Sequence, residues 1–229
     1  MATASPSDPA TPAGVAAALL SLVEERPPTL GAGRLVCIDG PAGSGKTTLA
    51  AALAAARPTA LVLHMDDLYD GWDGLAAGIA QLDALLTAHA TGRPGTVRRY
   101  DWHAGGYAEE IDVVPAPLLV VEGVGSGAAG HADRIGALAW VSAPDEERWR
   151  RGLERDGPDA EPHWRRWLVT ETRHFRTDRT AERADLVGVV AGGRLVELGT
   201  HHDLVARCDH YAALFATWSG GLSGGIASR

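Results

Sequence analysis

Lysine is almost absent from this sequence of 229 residues. Lys46 is the only lysine, so arginine supplies every other long basic side chain. A composition biased toward alanine, glycine and arginine accounts for the scarcity of lysine. It does not account for the position of the single one, which lies in the stretch DGPAGSGKTT (39–48). The chemistry of that stretch must therefore explain why a lysine is kept there.

Cysteine and long apolar runs are also scarce. Cys37 and Cys208 lie far apart, so the sequence has neither a disulfide framework nor the spacing of a zinc site. The longest apolar runs, such as VAAALLSLV, are too short to span a bilayer. The first residues, MATASPSDPATPAG, lack the basic segment and apolar core of a signal peptide. We therefore expect a cytoplasmic protein without a membrane span, in which Cys37 is a small core residue.

An excess of positive charge is absent as well. The formal net charge is −8, which argues against a general nucleic-acid binder. Hydrophobic residues make up 45% of the chain, and its length suits one α/β domain with a small appendage. We predict a flexible tail at 1–12, one domain at 13–192 and a C-terminal extension at 193–229. The sequence leaves a homo-oligomer open.

Short apolar runs alternate with helical patterns along the chain. This alternation predicts a three-layer α/β fold, with about five mainly parallel strands and helices on both faces of the sheet. The predicted strands are 34–39, 60–65, 117–123, 137–143 and 184–191. The predicted helices are 13–25, 46–56, 74–90, 144–156 and 162–175. The pattern indicates a connection at 93–102, and a hairpin strand with two short helices after 192.

The pattern Gly40-x4-Gly45-Lys46-Thr47 is a complete P-loop, and it lies between a predicted strand and a predicted helix. Its glycines let backbone N–H groups surround a phosphate, and the following helix adds its positive end. A slender ammonium suits the reach to the β- and γ-phosphates better than a planar guanidinium, while the threonine hydroxyl ligates Mg²⁺. The alternative is a glycine-rich loop with an exposed lysine. We predict ATP and Mg²⁺ as cofactors, with nucleotide contacts from Gly40, Ala42, Gly43, Ser44, Gly45, Lys46, Thr47 and Thr48.

Acidic residues end two of the predicted strands. Asp66 and Asp67 follow the second strand, and Glu122 ends the third. The carboxyl edge of a parallel sheet is where ligands bind. An aspartate there is placed to accept a proton from a substrate hydroxyl, and Glu122 to orient Mg²⁺ together with Thr47. The alternatives are solvated loop acids and a helix-capping or surface glutamate.

Arginines cluster in the predicted helices that follow the fourth strand. Arg148, Arg151 and Arg155 share one helical face at spacings of three and four, and Arg165 and Arg166 lie beyond the loop DGPDAEP. Such a pair of helices predicts an arginine-rich lid that closes over ATP and brings positive charge to the transferring phosphoryl group. The alternative is an exposed helix pair whose arginines are neutralised by the interleaved glutamates.

Five segments in this order, GPAGSGKTT, DDLY, YDW, VVEG and RWRRGLERD, resemble the uridine kinase-like branch of the P-loop kinases over about 33–190. The resemblance implies an ATP- and Mg²⁺-dependent phosphotransferase acting on a hydroxyl of a small molecule, a nucleoside such as uridine or cytidine first. The acceptor stays open, because HAGGYAEE lacks the threonine–histidine pair of that family and other sugar and nucleotide kinases share the skeleton. The implied catalytic residues are Asp66 as the base, Lys46, Arg151 and Arg155; the implied substrate-binding residues are Asp66, Tyr69, Tyr100 and Asp101; the implied metal ligands are Thr47 and Glu122.

The segment 184–215 has a second resemblance, to the end of ABC-transporter ATPase domains. It includes GGRLVELGTHHDL, yet the chain has no LSGGQ signature before this segment, and LSGG at 222–225 follows it. We interpret 193–229 as a structural extension. The alternative functions are an ABC-type ATPase-related protein and an ATP-binding protein without turnover.

Overall fold

The computed structural model describes residues 10–207 and 209–219. Most of the predicted flexible tail and the glycine-rich end at 220–229 lie outside this part of the chain. The first helix, α1 (Pro12–Glu25), starts where predicted. The Thr11 hydroxyl caps it by accepting a hydrogen bond from the Gly14 N–H at 3.1 Å, and a proline occupies the first turn.

The remaining elements follow the predicted alternation of strands and helices. None of the helices within residues 10–207 and 209–219 combines the length and the apolar character needed to cross a membrane. The elements are β1 (Arg34–Asp39), α2 (Lys46–Ala56), β2 (Leu61–His64), α3 (Leu75–Ala90), β3 (Gly95–Asp101), β4 (Gly106–Val113), β5 (Leu118–Glu122), β6 (Ala137–Ser142), α4 (Asp145–Asp156), α5 (Glu161–Asp178), α6 (Thr180–Arg183), β7 (Leu186–Ala191), β8 (Arg194–Gly199), α7 (His201–Arg207) and α8 (Asp209–Ser219).

The central sheet has the strand order β2-β5-β1-β6-β7-β8. The first five strands in this order pair in parallel, and β8 pairs antiparallel with β7 as the predicted hairpin strand. The prediction of about five mainly parallel strands is confirmed. Because the parallel strands share one direction, Asp39, His64 and Glu122 end up at the same edge of the sheet, with Ile38 and His64 each opposite Glu122.

Helices cover both faces of this sheet. Along β1, Leu35 and Cys37 face one layer, and Val36 and Ile38 face the other, as expected of alternating side chains. The helices α1 and α2 pack on the Val36 face, whereas α3, α5 and α8 contribute to the opposite core. Cys37 is fully buried, which confirms its prediction as a core residue. The three-layer architecture is therefore the predicted one.

The interpretation of 93–102 as a connection is wrong, because β3 and β4 form an antiparallel hairpin there. The buried side chains of β3 are Val97 and Tyr100, three residues apart, and the pairing register shifts between Arg98 and Tyr100. Such a bulge breaks the strict alternation by which a strand is recognised in sequence. Most of β4 is exposed, so it presents no apolar period either.

The C-terminal extension packs on the face of the sheet that also carries α3 and α5. The Trp218 ring on α8 meets the Trp140 ring of β6 edge-on, with 5.3 Å between centroids. The buried Tyr211 hydroxyl lies 2.8 Å from His201 Nδ1. The extension thus shares the core of the main domain.

The helices α4 and α5 meet at Gly152, which leaves room for the indole of Trp164. A Cβ atom placed on Gly152 would lie 2.2 Å from that ring, which is itself fully buried. The Trp164 Nε1–H donates to Asp156 at 2.8 Å, so the ring cannot swing away freely. Close approach of the two helices therefore requires glycine at this position.

We expect Gly152→Ala to destabilise the fold. Overpacking costs about 1–3 kcal/mol, and the better helix propensity of alanine recovers about 1, so the net loss is up to about 2 kcal/mol. The free energy of unfolding in urea measures it. Gly130→Ala is the matched control, since a Cβ atom there meets nothing within 4 Å. Equal stability of the two variants would contradict the prediction.

Candidate active site

A cleft of about 760 Å³ opens at the carboxyl edge of the parallel strands. The loop between β1 and α2 forms one wall, and the lid helices α4 and α5 form another. The turn after β2 and the tip of the β3–β4 hairpin complete it. Its place at the edge where the strands end is that expected of a ligand site in an α/β fold.

The phosphate loop closes on its own lysine. Lys46 is buried, and its Nζ donates hydrogen bonds to the Gly40 and Pro41 carbonyls at 2.8 and 2.9 Å. Gly40 has φ +139°, and a Cβ atom there would lie 2.0 Å from the Val141 oxygen. Only glycine fits so close to β6 in this conformation. Contacts within the protein thus define the shape of the loop.

The predicted nucleotide-binding residues divide into two groups. Ala42, Gly43, Gly45, Lys46 and Thr47 line the cleft. Among the residues described by the structure, the other three are not part of the cleft wall: Gly40 and Ser44 are buried, and Thr48 is exposed in the first turn of α2. The buried Ser44 hydroxyl has no hydrogen-bond partner. The nucleotide role of all eight residues stays a prediction.

Asp39 is a site residue that sequence reasoning missed. It is fully buried, and its carboxylate accepts the N–H groups of Gly40, Gly125 and Gly127 at 2.7, 3.0 and 2.8 Å. Burial raises the pKa of Asp39 above its ordinary value. These bonds join the phosphate loop to the loop after β5. The available signal was an acid that ends the apolar strand RLVCID.

Glu122 and Thr47, the predicted metal ligands, lie together. The Thr47 hydroxyl and His64 Nδ1–H both donate to Glu122 Oε1, at 3.0 and 2.7 Å. Burial disfavours the charged form of Glu122, but the hydrogen bond from His64 and the charge of Lys46 outweigh it and hold the pKa of Glu122 below its ordinary value. The same bond raises the pKa of His64, which sequence reasoning missed. An ionised carboxylate beside a hydroxyl oxygen is a donor set that suits Mg²⁺.

Asp66 and Asp67 both line the cleft. The Asp66 side chain is 58% exposed because it faces this opening, and its carboxylate lies 3.7 Å from Arg155 Nη1. Partial desolvation within the cleft raises the pKa of Asp66 despite the nearby positive charges of Arg155 and Lys46, and solvent at the exposed part of the side chain limits this shift. The Asp66 carbonyl accepts a hydrogen bond from Trp102 Nε1–H at 2.9 Å, which fixes the turn against the hairpin.

The predicted acceptor residues are only partly brought together. Tyr69 lines the cleft, but its ring is buried and its hydroxyl donates to the Val124 carbonyl at 2.8 Å. In the described part of the chain, neither Tyr100 nor Asp101 belongs to the cleft wall. Tyr100 packs on Trp102 with centroids 5.1 Å apart, and the Asp101 carboxylate accepts two N–H groups of the hairpin turn.

Tryptophans line one side of the cleft instead. Trp72 lies at the centre of this group, with ring centroids 5.4 Å from Trp102, 6.1 Å from Trp164 and 6.5 Å from Trp167. All four line the cleft, together with His103 at the hairpin tip. They come from three separate parts of the sequence, with Trp164 and Trp167 both on α5, so their assembly could not be predicted without the fold.

The arginines of α4 and α5 differ in how deeply they are buried and in what they contact. Arg148 is buried beneath the phosphate loop, Arg151 donates to the Gly43 carbonyl at 3.1 Å, and Arg155 faces Asp66. Arg165 pairs with a glutamate on its own helix, and Arg166 lies 3.9 Å from the exposed Asp73. Only Arg151 and Arg155 of these five line the cleft among the described residues, and they are the two predicted to be catalytic.

No family model matches the sequence, and no curated protein matches it at a significant level. Solved structures are similar to it. A possible uridine kinase from Bacillus stearothermophilus has a TM-score of 0.50 at 21% identity, over 68% of this chain and 88% of its own. A D-glycerate 3-kinase from Cryptococcus neoformans var. grubii has a TM-score of 0.54 at 14% identity, over 82% and 98%. The chain has a P-loop kinase-like fold. These likenesses show the fold alone, and they add no support to the ABC-transporter resemblance of the C-terminal segment.

Within this P-loop kinase-like fold, Asp39→Ala is expected to lower stability severely. It leaves three buried N–H groups without an acceptor, at about 1–3 kcal/mol each, so the loss exceeds about 3 kcal/mol. Asp101→Ala is the matched control, because it also removes a carboxylate that accepts N–H groups, but in an exposed turn where water replaces it. Its expected loss is about 1 kcal/mol or less. Urea unfolding of both variants checks this, and similar losses would contradict it.

Proposed function

We propose that this protein is an ATP- and Mg²⁺-dependent phosphotransferase that phosphorylates a hydroxyl group of a small molecule. The observation that supports this most is a single cleft lined both by residues of the phosphate loop, Lys46 and Thr47 among them, and by the carboxylate of Asp66. A protein that only binds nucleotide has no need of the second group. Phosphoryl transfer needs both, since catalysis consists largely of positioning and charge stabilisation around a nucleophile.

The phosphate loop would receive the triphosphate. Lys46 holds two carbonyls of the loop, and these bonds keep its ammonium at the mouth of α2, ready to contact phosphate oxygens. Arg151 and Arg155 add positive charge from the lid wall. Arg151 pairs with Glu147 at 2.6 Å and Arg155 with Asp156 at 2.7 Å, but both arginines are partly exposed, and such pairs separate at little cost when negative charge develops nearby.

Thr47 and Glu122 would hold Mg²⁺. This ion usually takes one or two protein oxygens and completes its shell with water and phosphate, and the two side chains match that requirement. When bound, Mg²⁺ neutralises negative charge on the phosphoryl oxygens. His64 would keep Glu122 ionised and oriented through the bond to Oε1.

Asp66 would act as the general base. It would take the proton of the acceptor hydroxyl as that oxygen bonds to the γ-phosphorus and the bond from the γ-phosphorus to the ADP oxygen breaks. A raised pKa makes a carboxylate a stronger base at neutral pH, provided that it is still ionised there. Arg155 lies on the same side of the cleft, where it orients the carboxylate.

The four tryptophans that line the cleft, Trp72, Trp102, Trp164 and Trp167, form what we call the tryptophan wall. This wall favours a nucleoside as the acceptor, because the flat indole faces offer stacking surfaces to a base. The similarity to a possible uridine kinase agrees with uridine or cytidine as the first acceptors to test. The similarity to a D-glycerate 3-kinase adds a hydroxy acid as a comparison substrate.

An acceptor screen with ATP and Mg²⁺ tests the proposal. Nucleosides, nucleoside monophosphates, pantothenate, sugar phosphates and D-glycerate are compared by coupled ADP release. We expect nucleosides to stimulate ADP release above the rate without acceptor. ATP binding by calorimetry with no stimulation by any acceptor would contradict the kinase assignment and favour a non-catalytic nucleotide-binding protein.

The raised pKa of Asp66 predicts the acidic limb of activity. The base accepts a proton only when ionised, so kcat/KM falls as pH decreases through the pKa of Asp66, at a higher pH than an ordinary aspartate of about 3.9 would give. Asp66→Asn should lower kcat about 10²–10⁴-fold and abolish this limb. Asp67→Asn, which changes the neighbouring carboxylate, should retain both the wild-type kcat and the acidic limb of the pH profile. A profile in which Asp66→Asn retains the limb would reject Asp66 as the base.

A further inference from the structure

Two buried side chains contact the phosphate loop from the side of the lid. Glu171 on α5 and Arg148 on α4 are 2% and 5% exposed, and Glu171 Oε1 lies 2.9 Å from Arg148 Nη1. In the described part of the chain neither belongs to the cleft wall. Any effect of this pair on a bound nucleotide must therefore pass through the loop itself.

The pair holds both backbone groups of one loop residue. Glu171 Oε2 accepts the Ala42 N–H at 2.9 Å, and Arg148 Nη1 donates to the Ala42 carbonyl at 3.1 Å. The neighbouring Gly43 lies so close to α4 that a Cβ atom on it would be 2.8 Å from the Arg148 oxygen. Charge-assisted bonds in a buried setting are about twice as strong as neutral ones. Ala42 is thus fixed from two sides.

Further contacts keep the pair in place and connect it to the cleft wall. Arg148 Nη2 donates to Asp145 at 2.8 Å. The Trp167 Nε1–H donates at 3.1 Å to the same Glu171 oxygen that holds Ala42. Trp167 belongs to the tryptophan side of the cleft, so Glu171 is bonded both to the phosphate loop and to the proposed acceptor wall.

We propose that Glu171 and Arg148 are positioning residues for the nucleotide. Their ion pair holds the loop at Ala42 in the shape that receives phosphate and ties that shape to the lid helices. The proposal rests on the proposed function, because it assumes that the loop binds ATP. A loop without these bonds would have to be ordered by the nucleotide, and the cost of ordering it would be subtracted from the affinity.

The double variant Arg148→Met/Glu171→Met tests the proposal. Removing both partners leaves no unpaired buried charge, but the Ala42 N–H, the Ala42 carbonyl and the Trp167 Nε1–H lose their partners, so the Tm of this variant is expected to fall and binding is measured well below it. Its Kd for a non-hydrolysable ATP analogue, measured by calorimetry with Mg²⁺, should rise on the order of tenfold or more. In turnover, KM for ATP should rise more than KM for the acceptor. Glu171→Gln, which keeps the shape of the side chain, should show the same split more weakly.

Asp185→Asn is the matched control. Asp185 pairs with Arg26 at 2.6 Å and accepts the Leu138 N–H, at the edge of the sheet opposite the cleft. Its loss should lower Tm and leave the affinity for the ATP analogue unchanged. If the double variant binds the analogue as tightly as the wild type, the positioning role is wrong while the proposed function stands. If the wild type itself does not bind the analogue, the proposed function fails and this role fails with it.

Discussion

Parallel pairing is the constraint on which the site depends. Five strands run in one direction, so the polar residues that end them, among them Asp39, His64 and Glu122, meet at one edge of the sheet. Buried acids at such an edge are unfavourable unless donors reach them. Backbone N–H groups satisfy Asp39, and His64 and Thr47 satisfy Glu122. Among the described residues, Glu122 is the one of these three strand-ending residues that lines the cleft.

The phosphate loop raises the complementary problem. Between β1 and α2 the chain has no regular structure to pair its backbone groups, and each unpaired buried group is unfavourable. Side chains do this instead, two of them next to or within the loop and two of them more than a hundred residues away. Asp39 holds the N–H of Gly40, Lys46 holds two carbonyls, and Glu171 with Arg148 holds both groups of Ala42. The loop is therefore shaped by the whole fold and not by its glycines alone.

Features that depend on local sequence patterns could be predicted, whereas features that depend on contacts between distant residues could not. The strand–loop–helix around Lys46 is a local pattern, and so are the acids at the ends of the second and third predicted strands. The structure confirms the elements on which these residues lie. The β3–β4 hairpin was missed because a bulge breaks its alternation. Glu171 and the tryptophan wall were missed because their partners are distant in sequence and no local period marks them. Tyr100 packs its ring on Trp102 in the hairpin, and the Asp101 carboxylate accepts a backbone N–H of the hairpin turn.

Three arginines on one face of α4 differ widely in their burial. Arg148, Arg151 and Arg155 share a face, yet their side chains are 5%, 26% and 59% exposed. A buried guanidinium with two carboxylate partners is held strongly, whereas exposed pairs contribute little and separate readily. The start of α4 is therefore tied to the phosphate loop at Ala42, and its other end is tied to α5 by the hydrogen bond from Trp164 Nε1–H to Asp156. Between these two ties, Arg151 and Arg155 extend from the same helical face to the cleft, so packing at both ends of α4 sets where their positive charge lies.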